Sequence, residues 1–252
     1  MVIGLISCEE TEIDNVSEAR VVVEALLHAN QPINIYISKE ILFKREENDT
    51  IFYLEGLDVT MSDDNGSFIL NDDGKGNYSS IKLVDPDFIY TIDFTYNNHE
   101  IFSTTSVPNK PEDYTSSKSS LEIEPRNGGR PPNNSQETVE LKWKNSDQSY
   151  YIVIITNLED DPKPINAAGF SKSSIFRSEP EISNNYTINS GDFQYYGMHS
   201  MVLYKVNPEY AALYEDPGDN SLTIKTPFSN IENGLGIFTA VHSDILYIDV
   251  HN

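Results

Sequence analysis

Apolar residues in this chain fall into short alternating runs broken by turn clusters, and that spacing decides the fold class before any motif is read. Residues 88–96, Phe-Ile-Tyr-Thr-Ile-Asp-Phe-Thr-Tyr, put Tyr90, Ile92 and Phe94 on one face. Residues 32–38, Pro-Ile-Asn-Ile-Tyr-Ile-Ser, keep the same period of two. A period of two is what a strand with one buried face requires, because successive side chains point to opposite sides. Asp63-Asp64-Asn65-Gly66, the run from Asp72 to Asn77, and Asn97-Asn98-His99 supply turn residues between such runs. Residues 19–107 therefore hold six or seven strands at a spacing of about 8–12 residues, with no helical period between them, which predicts an antiparallel sandwich.

A second unit follows. Residues 138–143, Thr-Val-Glu-Leu-Lys-Trp, turn Val139, Leu141 and Trp143 inward, and residues 150–156, Tyr-Tyr-Ile-Val-Ile-Ile-Thr, form a strong strand. Residues 184–188 and 199–206 add further strands. A strand ending in Trp, followed by one that opens with Tyr, resembles the fibronectin type III pattern. Asn207 reads as a helix cap, Pro208 as the first helical residue and Glu209 as an acidic first-turn residue, which predicts one short helix up to Tyr214. Residues 238–241 and 245–250 read as a closing hairpin around His242-Ser243-Asp244. The proline- and serine-rich stretch 108–120 reads as the linker. The expected architecture is all-β: two tandem antiparallel β-sandwiches of immunoglobulin or fibronectin type III kind, at 19–107 and 121–252, with one short helix near Pro208–Tyr214.

Composition narrows the partners. Of 252 residues, 38% are hydrophobic and 11% aromatic, enough for packed cores. Seventeen Lys and Arg stand against 40 Asp and Glu, a formal charge of -23. Such a body is repelled by phosphate backbones, so no nucleic-acid partner is expected. The acidity fits solubility at a crowded surface, or attraction of cations. No apolar run reaches the roughly 20 residues of a membrane helix.

The one cysteine, Cys8, follows Leu5-Ile6-Ser7 and precedes Glu9-Glu10. An apolar run, a small residue and then cysteine form a bacterial lipoprotein cleavage pattern. On that reading residues 1–7 are a signal remnant and Cys8 is lipidated. Residues 8–18 are an acidic tether, and a charged signal start lies upstream. The other reading of Cys8 is an incidental free thiol near a frayed terminus.

Gly234 and Gly236 flank one leucine, a spacing that allows positive φ or close passage of another strand, with Ile237 and Phe238 pinning the segment to the core. The stretch from Pro227 to Phe238, with Ser-Asn-Ile and then Gly-Leu-Gly-Ile-Phe, resembles the C-terminal motif of a Bacteroidota family, domain of unknown function 4249. Val21–Ala25 is similar to that family's opening strand, Pro208–Tyr214 to the piece before its terminal motif, and Cys8 to its lipoprotein start. The resemblance implies an outer-membrane lipoprotein beside a TonB-dependent receptor, without defined catalytic residues. Glu9 and Glu10 resemble an export signal to the outer face.

Sites for chemistry are few. Residues 71–77 carry oxygen ligands at alternating positions, but Lys75 and Lys82 fall where an EF-hand needs ligands, so a turn competes with calcium. His28, His99, His199, His242 and His251 show no zinc spacing. A Ser-His-Asp relay has no nucleophile elbow in this chain, and carboxylate pairs are too many to single one out. Phe193-Gln194-Tyr195-Tyr196, with Tyr204, Tyr210 and Tyr214, is either a sugar- or peptide-binding platform or sandwich core with edge aromatics. Tyr195 and Tyr196 are the candidate ligand-binding residues. No catalytic residue, metal or cofactor is assigned. The expected role is a non-enzymatic accessory or ligand-binding lipoprotein of the outer membrane. An adhesion module is the second expectation and a hydrolase with an unrecognised site the third.

Overall fold

A computed structural model describes residues 19–41, 51–125, 137–166, 173–214 and 228–252. Nine strands come from the N-terminal part: β1 (Val21–His28), β2 (Pro32–Lys39), β3 (Phe52–Tyr53), β4 (Thr60–Asp63), β5 (Gly66–Ile69), β6 (Asn71–Gly74), β7 (Asn77–Leu83), β8 (Ile89–Tyr96) and β9 (His99–Ser106). Then follow β10 (Glu112–Ser116), β11 (Ser120–Glu122), β12 (Thr138–Lys144), β13 (Tyr150–Asn157), β14 (Ile175–Arg177), β15 (Asn185–Asn189) and β16 (Gly197–Val206). The helix α1 (Pro208–Ala211) runs into a 3₁₀ turn (Ala212–Tyr214), and β17 (Leu235–His251) closes the described chain.

Turn chemistry sets the hairpins. Asn97 and Asn98 both take positive φ, 48° and 61°, between β8 and β9. Two left-handed residues make the two-residue turn whose twist matches the flanking strands. Between β4 and β5 the Asp63 carboxylate accepts the Asn65 N–H at 2.8 Å, a local Asx turn.

The strands form one ten-stranded sheet, in the path β14-β13-β16-β17-β1-β2-β7-β6, with β11 also on β17 and β3 on β2. A four-stranded sheet, β5-β4-β8-β9, covers one end, and a three-stranded sheet, β10-β12-β15, covers the other. The first core joins Val23 and Leu27 of β1 and Ile35 of β2 to Met61 of β4 and to Tyr90, Ile92 and Phe94 of β8. The second joins Val153 of β13, Leu203 of β16 and Ile248 of β17 to Tyr114 of β10 and to Val139, Leu141 and Trp143 of β12. Each fully buried large side chain stabilises by about 1.5–3 kcal/mol, so alternation on both layers supplies the drive to pack. The all-β sandwich expectation holds.

The closing hairpin does not form. Residues 238–250 lie in the single 17-residue strand β17. Its first half pairs parallel with β1, from Val22 opposite Leu235 to His28 opposite Val241. Its second half pairs antiparallel with β16, from Val206 opposite Val241 to Gly197 opposite Val250. Ser243 and Asp244 permit a turn, but with no glycine or proline to impose one the pairing with β1 and β16 keeps the backbone extended. Phe238 and Ala240, expected with the second unit, belong to the first core, whereas Ile248 and Val250 belong to the second.

The stretch expected as a linker also carries structure. Its residues 112–116 are β10, and Tyr114 is buried, donating its hydroxyl to the Met201 carbonyl at 3.1 Å. Before it, the Pro108 carbonyl lies 3.0 Å from His242 Nδ1, and Asn109 Oδ1 accepts from Lys205 Nζ. Lys205 is buried and also holds Asp147 at 2.6 Å. Asn207 stands at the cap position of α1 and its carbonyl accepts the Tyr210 and Ala211 N–H groups, but its side chain makes no cap hydrogen bond. Its amide instead donates to Thr105 Oγ1 at 3.0 Å and to the Ser106 carbonyl at 2.7 Å. Glu209 accepts from Thr105 at 2.8 Å and Thr239 at 3.1 Å. These buried polar groups are matched across the seam between the two sandwiches, which the cost of leaving them unpaired requires.

Candidate functional site

The aromatic run divides between two places. Phe193 is a residue of the second core. Tyr196 packs against that core and donates its hydroxyl to the Ile123 carbonyl at 2.9 Å. Tyr195 lines a cleft with Ser173, Ser174, Asp192 and His199.

That cleft collects the residue types of a nucleophile relay, yet its histidine is committed elsewhere. His199 Nδ1 sits 2.9 Å from the Gly197 carbonyl, which takes only a donor, so Nδ1 carries the proton. Nε2 then accepts from the Asn157 amide at 3.2 Å. No lone pair is left on the ring to take a serine proton. The Phe193 ring meets the imidazole edge-on at 5.1 Å. Burial holds the His199 pKa below its usual value, with the Gly197 carbonyl offsetting part of the shift. Asp192 Oδ2 accepts the Asn189 N–H at 2.8 Å and so holds its own turn. The arrangement fixes a loop rather than moving a proton.

Tyr204, Tyr210 and Tyr214 assemble elsewhere, around a residue that sequence reading left out. Arg177 on β14 reaches across the sheet to the helical segment after β16. Its guanidinium carbon lies 5.8 Å from the Tyr210 ring centre and 5.6 Å from that of Tyr214, and it donates to the Tyr210 hydroxyl. The two tyrosine rings are 5.9 Å apart, and Tyr204 meets His28 edge-on at 6.0 Å. Burial pushes the Tyr214 phenol up to about 12, with the Tyr210 hydroxyl adding to it. Burial also raises Tyr204, against the pull of Arg177. The Tyr204 and Tyr214 phenols keep their protons at neutral pH. No local pattern marks Arg177. Only strand register brings it to the tyrosines.

The glycine motif is structural. Asn230 grips Phe238 through both backbone groups: its amide donates to the Phe238 carbonyl at 2.7 Å and its side-chain oxygen accepts the Phe238 N–H at 2.9 Å. One side chain thus stands in for a missing strand along this part of β17. Gly236 has φ of 99° and lies directly against Val23. Gly234 is a close-approach position only, near Ile231 and the Val21 carbonyl. Phe238 is fully buried as expected, whereas Ile237 is half-buried and outside the core clusters.

Among the described residues no group of three His, Cys, Asp or Glu side chains is placed to hold a metal. Both Asp72 oxygens, read as calcium ligands, accept backbone N–H groups, from Gly56 at 2.6 Å and Gly74 at 2.8 Å. Cys8, Glu9 and Glu10 lie outside the described residues. No helix among the described residues is long and apolar enough to cross a membrane.

Comparison with curated proteins finds no match. Among solved structures, the chicken CNTN1 FN1–FN3 domains are 9% identical with a TM-score of 0.28, the match covering 93% of this chain and 65% of that one. The present chain thus spans just under two thirds of that neighbour's length. A two-domain fibronectin type III segment from chicken tenascin is 9% identical with a TM-score of 0.24, covering 91% and 99%. The family model described as Domain of unknown function (DUF4249) matches residues 9–244, and the chain belongs to that family.

Proposed function

We propose that the protein is a non-enzymatic lipoprotein of the Bacteroidota cell envelope, tethered to the outer membrane through lipid at Cys8. It works there as an accessory or ligand-binding subunit beside a TonB-dependent importer. Glu9 and Glu10 direct it to the outer face. The observation that carries the binding role is the Arg177–tyrosine cluster, in which Arg177 on the ten-stranded sheet meets the Tyr210 and Tyr214 rings of the adjoining helical segment. Aromatic rings and arginine are the side chains that interfaces favour. The cleft around His199 argues against relay chemistry, since both ring nitrogens are engaged.

The test is gentle detergent extraction of the tagged full-length protein from its native outer membrane, with mass spectrometry of what co-purifies. A TonB-dependent barrel in stoichiometric amount is the expected result. A protein that comes out alone refutes the importer role.

One observation favours adhesion as a second reading. A single strand common to both sandwiches makes a stiff body of the kind a stalk needs. Loss of surface attachment on deletion, with nutrient uptake unchanged, would decide for it.

A further inference from the structure

Arg177 ends a row of side chains that crosses four strands. It stands opposite Ile154 on β13, Ile154 opposite Val202 on β16, and Val202 opposite Ile245 on β17. Cross-strand partners share a face, and this one is turned away from the second core, which takes the alternate residues Val153 and Leu203. At about 4.8 Å per strand, the row runs roughly 14 Å from Arg177 to Ile245. The outer face of a one-sided antiparallel sheet is ordinarily polar. Here Ile245 is 43% exposed and Val202 half-buried, while Ile154 is half-buried against a third cluster of Ile152, Val206 and Val241.

Arg20, Lys82, Lys110, Lys118, Lys142, Lys144 and Lys205 each hold a carboxylate. Arg177, like Lys39, Lys75 and Lys163, has no carboxylate partner among the described residues, although the chain has 40 acidic side chains. It alone of these four is seated on two aromatic rings, those of Tyr210 and Tyr214. The guanidinium is planar by resonance, and its seat on the two rings and its bond to the Tyr210 hydroxyl fix the direction of the remaining N–H groups, which can receive a carboxylate through paired hydrogen bonds.

We propose that this face docks a peptide segment of a partner protein in which a carboxylate side chain neighbours aliphatic ones. The carboxylate meets Arg177 beside Tyr210 and Tyr214, and the aliphatic side chains lie along Ile154, Val202 and Ile245. Local charge complementarity selects this occupant: one carboxylate answers the unpaired Arg177 cation, whereas a strongly acidic partner as a whole is repelled by this chain. A second copy brings another -23 to the face and is repelled. A free aliphatic acid on an open sheet leaves half of its chain in water, whereas a partner brings its own body to cover the row. The inference rests on the binding role above and names its chemistry.

The test is selection of a displayed random decapeptide library on the purified full-length protein in detergent. The expected winners carry Asp or Glu next to at least two of Leu, Ile and Val. They bind at least tenfold more weakly to Arg177→Gln and to Ile245→Lys, and Arg177→Lys retains part of the affinity. Ile245 is exposed, so its replacement leaves the urea midpoint in place and separates lost binding from lost folding. The proposal is overturned by no enrichment, by winners without an acidic residue, or by equal binding to Arg177→Gln. It is overturned equally by self-association that Ile245→Lys abolishes, or by full displacement with micromolar dodecanoate. A barrel that co-purifies equally well with Arg177→Gln removes this site and leaves the importer role standing. Winners as expected with no co-purifying barrel do the reverse.

Discussion

A Cβ placed on Gly236 would stand 2.0 Å from the carbonyl oxygen of Val23. The two residues are register partners in the parallel pair of β1 and β17, so the contact is between backbones and neither can yield by rotating a side chain. Gly236 also holds φ at 99°, which a side chain resists at a cost of about 1–3 kcal/mol. Gly236→Ala is therefore expected to destabilise by roughly 3 kcal/mol or more, strain and clash together. At Gly234 φ is not positive and the nearest atom is the Ile231 side chain at 2.9 Å. Gly234→Ala is the milder change. Urea unfolding of the two variants checks the order, and equal losses would show that the backbone contact does not matter.

Asn230 supplies both hydrogen bonds to Phe238 on β17. Asn230→Ala leaves a buried N–H and C=O without partners, at about 1–3 kcal/mol for each group that stays unsatisfied. Asn230→Asp keeps the acceptor for the Phe238 N–H but sets a carboxylate oxygen against the Phe238 carbonyl. Both variants are expected to lower the unfolding midpoint, with faster amide exchange at Phe238 than at Ile248. Unchanged exchange at Phe238 would contradict the role given to Asn230.

Acid weakens this fold in two windows. His199 and His28 are both held below the ordinary histidine value of 6.5 by burial. As pH falls through that value the unfolded chain takes up protons that the folded chain refuses, so stability present above it is lost below it. Hydrogen bonds from Arg20 and Lys205 lower Glu40 and Asp147, and that contribution disappears only below the ordinary carboxylate range. The urea midpoint is expected to drop between pH 7.5 and 5.5, and to drop less in His199→Gln. An identical drop in that variant would remove His199 from the account.

Local alternation carried much of this fold in plain view. Tyr90, Ile92 and Phe94 on β8, and Val139, Leu141 and Trp143 on β12, point inward as their period of two requires. The seam was harder to read. Residues 238–250 show alternation on both sides of His242, and the hairpin reading broke them there, because parallel pairing with β1 is set by residues some 200 positions away. Asn207 does stand at the cap of α1, yet its side chain serves Thr105 and Ser106 on β9. The aromatic candidates fared likewise. Tyr195 and Tyr196 are neighbours in sequence, but Tyr195 lines a core-side cleft and Tyr196 packs against the core and donates to the Ile123 carbonyl. Tyr214 is exposed and Tyr210 half-buried against Ile152, Val206 and Val241, both beside an arginine that only register brings near.

Val241 lies opposite His28 in one pairing and opposite Val206 in the other, and β17 thereby makes the two sandwiches one unit. Scanning calorimetry of the full chain tests it. The prediction is one transition with calorimetric and van't Hoff enthalpies equal. Phe238→Ala, which empties a fully buried site in the first core, should lower that whole transition by about 3–5 kcal/mol of stability without splitting it. Two resolved transitions, with only one of them moved by Phe238→Ala, would contradict the claim.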